Sequence, residues 1–327
     1  MLRGFEQGDL PEVARLHSLL YRHEGHDDVE WYCSLWRWLE THPLADAVHR
    51  WVLVAEEEVV GFLSAVPQFY RISGSRVVAH TPMDFMVQPR YRFHSIALMR
   101  EFFRSCPNCV TCDWLPETVK VTMWLGEEEA GMLEHAARVL DAAALVGTMP
   151  RALRPAAAAA LTGFTILVDA VSLGWKDDDR RIEELQDFDE RFDVLFQELA
   201  AKLPCLPEKD SSFLGWRYGP GSPHPQRTIG YILDLTALPG RRDVASALLR
   251  SGVRRLRQLG SRVIRYRFLK SAVSPRLSDL WRLGFFPRKQ RHRLLVRFAE
   301  PELHESARHG ANWAYSAGDG EMSFWVR

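Results

Sequence analysis

The chain has 327 residues and no formal net charge, with 42 Lys+Arg against 42 Asp+Glu. A neutral chain has no global field to gather nucleic acid or an anionic membrane. At 46% apolar and 26% charged, the composition is that of an ordinary globular protein long enough for two domains. No apolar run is expected to approach the roughly 20 residues that span a bilayer. The opening Met1 to Asp9 is too polar for a signal peptide. Five cysteines, few and odd in number, read as free thiols of a reducing cytoplasm.

Leu2 to Phe5 predicts a first strand. Asp9 is placed to cap the next helix, with Pro11 in its first turn and Val13, Leu16, Leu19 and Leu20 on its apolar stripe. Glu30 to Leu39 predicts a helix dense in aromatics (Trp31, Tyr32, Trp36, Trp38), stopped at His42-Pro43 because the residue before proline avoids the helical region. Trp51 to Ala55, Val59 to Val66 with Phe69 to Ile72, and Arg76 onward read as an antiparallel meander turned at Glu56–Glu58 and Ser73-Gly74-Ser75.

The meander leads into Met83 to Glu101, the stretch that organises the chain. Met83 to Val87 is apolar and reads as a buried strand. Pro89 ends it, having no N–H for a ladder. From Ser95, Ile96, Met99, Phe102 and Phe103 fall on one helical face. The turn between carries Arg90, Arg92 and His94, with the small residues Ser95 and Ala97 at the helix entrance. A helix N-terminus offers unpaired N–H groups and partial positive charge, and arginines beside it add bidentate donors; the pattern suits a diphosphate. An ordinary strand-to-helix connection with solvated arginines fits the same residues about as well.

Val87-x-Pro89-x-Tyr91-Arg92-x-x-Ser95-x-Ala97 resembles the acetyl-CoA loop of the GNAT acyltransferases, whose pattern is Arg/Gln-x-x-Gly-x-Gly/Ala after a strand ending in Val-x-Pro. Ser95 stands where that family usually has glycine. The resemblance implies acetyl-CoA, or another acyl-CoA, as co-substrate. It implies contacts from Met86, Val87, Arg90, Arg92, Phe93, His94, Ser95, Ile96 and Ala97, with backbone N–H groups near Met86 and Val87 polarising the thioester. In relatives the base is often a carboxylate near this strand, which here is Asp84; a structural carboxylate bonded to backbone is the competing reading.

Further along, Val110 to Cys112 and Val119 to Leu125 read as strands, Glu127 to Leu140 as a helix, and Ala144 to Leu153 as the close of a first domain. The run Ala156 to Ala160 after Pro155 reads as a linker or short bridging helix. Then come a strand at Phe164 to Val171, an amphipathic helix at Asp187 to Leu203, a strand at Leu233 to Ala237, a basic helix at Asp243 to Leu259, a strand at Val263 to Phe268, a helix at Ser278 to Leu283 and a last strand at Leu294 to Phe298. The polar-aromatic tail from Asn312 to Trp325 is expected to fold back on the domain.

Two motifs recur. Trp36-Arg37-Trp38 returns as Trp216-Arg217-Tyr218. Asp84, Pro89, Arg92, Ala97 and Leu98 return as Asp234, Pro239, Arg242, Ala247 and Leu248, each 150 residues on. The stretch from Trp216 to Asp234 is much shorter than that from Trp36 to Asp84, so the second copy is shortened. The layout resembles tandem GNAT proteins. It implies an α+β fold of two GNAT-like domains, 1–155 and 156–327, each a mostly antiparallel central sheet flanked by helices. The second loop, with Asp243 close by and no glycine over Val244 to Ala247, is the poorer phosphate site, so the first half is expected to bind the cofactor.

The family's acid is usually a tyrosine. Only His135 serves as a titrating donor on the first candidate helix, and Trp281 holds the corresponding place in the second half. Cys106, Cys109 and Cys112 are too few for a paired Cys-x-x-Cys zinc site or a four-cysteine cluster, and no metal is expected. His17, His23 and His26 read as solvated, and Arg250, Arg254, Arg255 and Arg257 as a solvated helix face. Trp36, Trp38, Trp216 and Tyr218 read as core between the halves.

The reading is a cytoplasmic acyl-CoA-dependent N-acyltransferase acting on an amine, with no nucleic-acid or membrane partner and with a homodimer allowed. The alternative is a catalytically weak acyl-CoA-binding or partner-binding GNAT-like protein. A third, an aminoacyl transferase using charged tRNA, is disfavoured by the neutral chain.

Overall fold

The computed structural model of the protein describes residues 1–21, 28–141, 146, 149–173, 182–185, 187–222, 229–290 and 292–320. The predicted His23 and His26, and parts of the 144–153 and tail segments, lie outside them. In chain order the chain forms β1 (Leu2–Gly4), α1 (Leu10–Tyr21), α2 (Val29–Leu39), β2 (His49–Ala55), β3 (Glu58–Ile72) and β4 (Ser75–Val87). There follow α3 (Ser95–Ser105), β5 (Cys109–Asp113), α4 (Pro116–Trp124), β6 (Glu128–Val139), α5 (Arg154–Leu173), α6 (Glu190–Ala200), β7 (Cys205–Pro207) and α7 (Ser211–Tyr218). The last elements are β8 (Ile229–Ile232), α8 (Arg242–Gln258), β9 (Val263–Leu269), α9 (Leu277–Arg282), β10 (Phe286–Pro287), β11 (His292–Arg297) and α10 (Pro301–Ala307). The fold is mixed α+β. Its two compact units interleave in sequence: 1–131 with 186–223 and 293–309, and 132–185 with 224–292 and 310–327. Residue 155 itself falls inside α5.

In the first unit the strand order is β1-β2-β3-β4-β5-β11, with β7 on the outer part of β3. Every pairing is antiparallel except β4 with β5. β3 is buried without a break from Val59 to Gln68, the unalternating pattern of a strand covered on both faces. Leu98, Met99, Phe102 and Phe103 of α3 pack with Leu53, Val60, Leu63 and Ala65. Gly61 permits that approach: a Cβ there would lie 3.3 Å from Leu98 Cδ1 of α3 and 3.1 Å from Leu53 Cβ. Trp36 of α2 meets Phe62 edge-on at 5.4 Å. Asp9 does not cap α1. It receives the Glu6 N–H at 2.8 Å and a fork from Arg3 at 2.7 and 2.8 Å, closing the 3-10 turn ahead of the helix.

The Trp216 motif, read from the sequence as core between the halves, packs in this first unit. Trp38 and Trp216 stack at 4.4 Å, nearly parallel, and the Trp38 indole N–H donates to the Trp216 carbonyl. Arg76 and Arg71 reach Glu208 at 2.8 and 3.5 Å.

In the second unit β9 lies between β6, antiparallel, and β8, parallel, and β10 extends β6 on its other side. Leu249 and Val253 of α8 pack on Ile264, Tyr266 and Phe268, with Leu280, Leu283 and Phe285.

Four expected elements are overturned here. Glu127 to Leu140 is strand β6, because seven residues, Leu133 to Val139, pair with β9; that ladder overrides the helix preference of its alanines and glutamates. Val119 to Leu125 belongs to helix α4, begun by Pro116 in its first turn. Phe164 to Val171 continues the alanine run as one helix of 20 residues, since a short apolar run does not reveal its period. Leu233 to Ala237 is not a strand; the β8 ladder stops at Ile232.

Helix α5 also corrects the reading of the apolar runs. The stretch Arg151–Val171 holds an 18-residue window of mean hydropathy 1.3 that is little buried, long and apolar enough to cross a bilayer by length and composition. Its Asp169 nevertheless accepts from Arg138 at 2.5 Å and Arg257 at 2.6 Å, which ties the helix to β6 and α8. At its contact with Gly284, a Cβ would lie 2.3 Å from Val168 Cγ1.

Candidate functional site

β4 and β5 run parallel but pair at one position, His80 with Cys109. The His80 N–H donates to Asn108 O at 2.9 Å, and Thr81 Oγ1 to Val110 O at 2.8 Å. Beyond that point β4 continues to Val87 against β3, and β5 to Asp113 against β11, with no ladder between them. The separation has local causes. Pro82 has no N–H to bridge with. Two residues on, β4 carries a bulge: the register passes from Ser64↔Met83 to Phe62↔Met86, and Asp84 takes a left-handed φ of 63°. Asp is among the few non-glycine residues that tolerate this conformation, and a bulge bends its strand. Ser64 Oγ donates to the Met83 carbonyl at 2.8 Å beside the bulge.

The backbone direction past the bulge follows from one bond. Gln88 N–H donates to Val60 O at 2.8 Å, so Met86, two residues back, also faces β3. Val87 alternates and turns its N–H and C=O toward the open side, where β5 has moved away.

Asp84 is buried and accepts the hydroxyl of Tyr32, a fully buried residue of α2. Burial first, then the Asp84 charge, push the Tyr32 phenol well above its ordinary pKa, so it stays a neutral donor. His17 is buried, not solvated, and stacks on Tyr32 at 4.4 Å. Phe85, the next residue, packs instead with the α3 cluster.

The turn after β4 differs from the expectation. Pro89–His94 is a 3-10 helix that runs directly into α3. Tyr91 N–H donates to Gln88 O at 2.9 Å, and Ser95 N–H to Arg92 O. The Ser95 amide, expected to stand free, is thus engaged in an i→i−3 bond, which is weaker than an α-helical one. The side chains stand clear: Arg90, Arg92, Phe93 and His94 are exposed, Ile96 is partly so, and Ser95 and Ala97 are half-buried. Arg90 lies 3.3 Å from Gln88 Oε1 and 3.7 Å from Glu58.

The second unit has a comparable parting of parallel strands, and it is filled. β8 and β9 pair up to Ile232↔Tyr266. Beyond this the chain's own tail enters. Ser316 bridges Phe268, Leu269 N–H donates to Tyr315 O at 2.8 Å, and Gly318 N–H donates to Leu233 O at 2.7 Å. Ser316 Oγ also donates to Asp234, the counterpart of Asp84, at 3.2 Å. The expected return of the tail is seen as far as residue 320.

Of the candidate acids, His135 sits on a strand rather than a helix. Burial, then Arg267 and Arg265, lower its pKa to about 4, so it is neutral near pH 7. Trp281 is largely exposed. Cys106 and Cys109 are buried and Cys112 is half-buried, all as free thiols. Sequence reasoning missed Tyr32, read as one packing aromatic among four, and Glu127, read as the start of a helix. Glu127 is buried, accepts Thr111 Oγ1 at 2.6 Å, and is pushed up to about 7 by burial against the opposing pull of its hydroxyl partners and Arg297. Neither had a local signal, because both partnerships are long-range.

No family model matches the sequence, and no curated protein matches it. Solved structures do match the fold. Saccharomyces cerevisiae N-myristoyltransferase with bound myristoyl-CoA superposes with a TM-score of 0.58 at 13% identity, over 95% of this chain and 88% of that one. A second structure of the yeast enzyme gives 0.56 at 11% identity, over 95% and 84%. A GCN5-related N-acetyltransferase from Anabaena variabilis gives 0.53 at 14% identity, over 92% and 73%. At such identities the likeness is one of fold, and by that measure the chain has the GNAT-like fold that these N-acyltransferases share.

Proposed function

We propose that this protein is an acyl-CoA-dependent N-acyltransferase whose acyl donor lies in the first unit, between β4 and β5. The observation that carries the reading is the parting of those strands after His80↔Cys109 beside an exposed Arg90–Arg92–His94 turn. The Val87 N–H and C=O on the open edge of β4 suit the amides of an extended pantetheine arm, as a strand edge suits an added strand. The filled gap of the second unit supports a single donor site.

The chemistry needs little covalent help. An amine nitrogen attacks the thioester carbonyl, and a C–N bond forms as the C–S bond breaks. The amine loses its proton to a base, and CoA leaves as a thiolate that takes a proton. The Val87 N–H is the candidate donor to the developing oxyanion. Asp84 is the candidate base, with Tyr32 orienting it. Arg92 and His94, with Arg90, are the candidate partners of the diphosphate; Phe93, Ser95, Ile96 and Ala97 border the same turn and Met86 precedes it. Acetyl-CoA is the smallest donor, and the myristoyl-CoA bound to the yeast enzyme makes a long chain the natural comparison.

The engaged amides of the 89–95 turn favour a second reading, an acyl-CoA-binding protein with weak or no turnover. Calorimetry of the protein with CoA, acetyl-CoA and myristoyl-CoA, followed by thiol release over an amine panel, separates the two. Binding with release supports the transferase. Binding without release supports the second reading, and no binding removes both.

A further inference from the structure

Away from the open side of the gap, where β4 and β5 still touch, His49 of β2, His80 of β4 and Cys106 at the end of α3 bring one ligand atom each within 4.8 Å of one another. Cys106 is fully buried, His80 is 7% exposed, and His49 is half-buried. The His80 tautomer follows from its neighbour. Nε2 lies 3.0 Å from the Ala47 carbonyl, which can only accept, so Nε2 carries the proton. Nδ1 is left as a lone pair, buried and with no hydrogen-bond partner among the described residues. A buried acceptor without a partner is destabilising unless something pairs with it. A ring that donates one N–H to a backbone carbonyl and keeps its other nitrogen as an unshared lone pair is the usual posture of a metal-bound histidine.

We propose that His49, His80 and Cys106 bind one divalent cation of the zinc type. Two imidazoles and a thiolate are a borderline-soft donor set that suits zinc or cobalt and is poor for magnesium or calcium. Tetrahedral bond lengths place such donor atoms roughly 3.3–3.7 Å apart, so the triad closes by about 1 Å on binding. His49, on the half-exposed side, provides the movement and the entry path. Cys109 is not a member: its thiol donates to the Cys106 carbonyl at 3.2 Å. Burial alone keeps Cys106 protonated, and a cation in contact draws out the thiolate. The ion ties β2, β4 and α3 together at the point where β4 leaves β5, so it stiffens the closed end of the gap.

The test uses the full chain, stripped with chelator and titrated with cobalt(II) and then zinc(II). One cobalt per chain with a thiolate-to-cobalt charge-transfer band, displaced by zinc, is the expected result. The band should vanish in Cys106→Ser and persist in Cys112→Ser. Zinc at a hundredfold excess over its Kd should raise the Tm of the wild type by a few degrees and leave Cys106→Ser unmoved. If Cys106→Ser fails to fold, His49→Ala serves, with at least a tenfold loss of cobalt affinity expected. No band at saturating cobalt, a band that survives Cys106→Ser, or unchanged affinity in His49→Ala overturns the site.

Discussion

Tyr32 and Asp84, 52 residues apart in the chain, meet in the core of the first unit, where the phenol O–H donates a hydrogen bond to the carboxylate. The bond anchors a residue whose backbone is held at a φ of 63°, inside the bulge that turns β4 away from β5. A strained residue kept in place by a buried partner points to a use for the strain. Asp84→Asn keeps the shape and the tolerance for a left-handed backbone while removing the base. Its kcat for amine acylation should fall about 100-fold or more, with the Kd for CoA within about twofold of the wild type. Turnover equal to the wild type would clear Asp84 of that role. Tyr32→Phe removes one hydrogen bond from a buried carboxylate and should lower stability by about 1–3 kcal/mol, read by denaturant titration.

Because the Tyr91 and Ser95 amides are already bonded, the proposed recognition of the diphosphate falls mostly to side-chain cations. Arg92, exposed and with no ion pair among the described residues, is the freest of them. Arg90 is shared with Glu58 and Gln88. Arg92→Glu should therefore weaken CoA binding at least tenfold by calorimetry, and Arg90→Ala less. An Arg92→Glu protein that binds as well as the wild type places the diphosphate elsewhere.

Glu127 gives the first unit a pH dependence of known sign. Its folded pKa is raised from 4.5 to about 7, chiefly by burial. Between those values the folded state holds a proton that the unfolded state has lost, so stability falls as pH rises through this window. Glu127→Gln mimics the protonated form and keeps an acceptor for Thr111. It should flatten that slope and be more stable than the wild type at pH 8, by an amount on the order of 1–3 kcal/mol. Parallel slopes for the two proteins between pH 5 and 8 would contradict the assignment.

What the sequence disclosed, and what it did not, follows from the range of each interaction. The strand–turn–helix at Met83 to Glu101 and the meander before it were legible, because their periods, Pro89 and Gly74 are local signals. The gap itself was not, since it depends on β5 pairing with β11, nearly 200 residues later. Residues 128–139 read as a helix on propensity and form a strand because β9 pairs with them. The filled second gap was beyond reach, because nothing within 315–318 announces which strand ends it will join. The 3-10 start of α3 was also invisible: Pro89 fits the first turn of either helix type.

That filled gap makes the last prediction. The tail is held between Leu233 and Leu269 by backbone bonds, and its own turn is closed by the Ser316 N–H donating to Asp319 at 2.8 Å. These bonds satisfy strand-end groups that a cofactor arm would otherwise seek. The wild type should therefore bind one CoA per chain, and a calorimetric stoichiometry of two would mean that the tail yields its place. Ser316→Pro deletes that N–H, and its ring fits poorly at the backbone φ of −136° found there. Its unfolding transition should shift to lower denaturant by the equivalent of about 2–3 kcal/mol. Because the donor site is placed in the other unit, the affinity for its single CoA should stay within about twofold of the wild type, which separates loss of the tail from loss of the site.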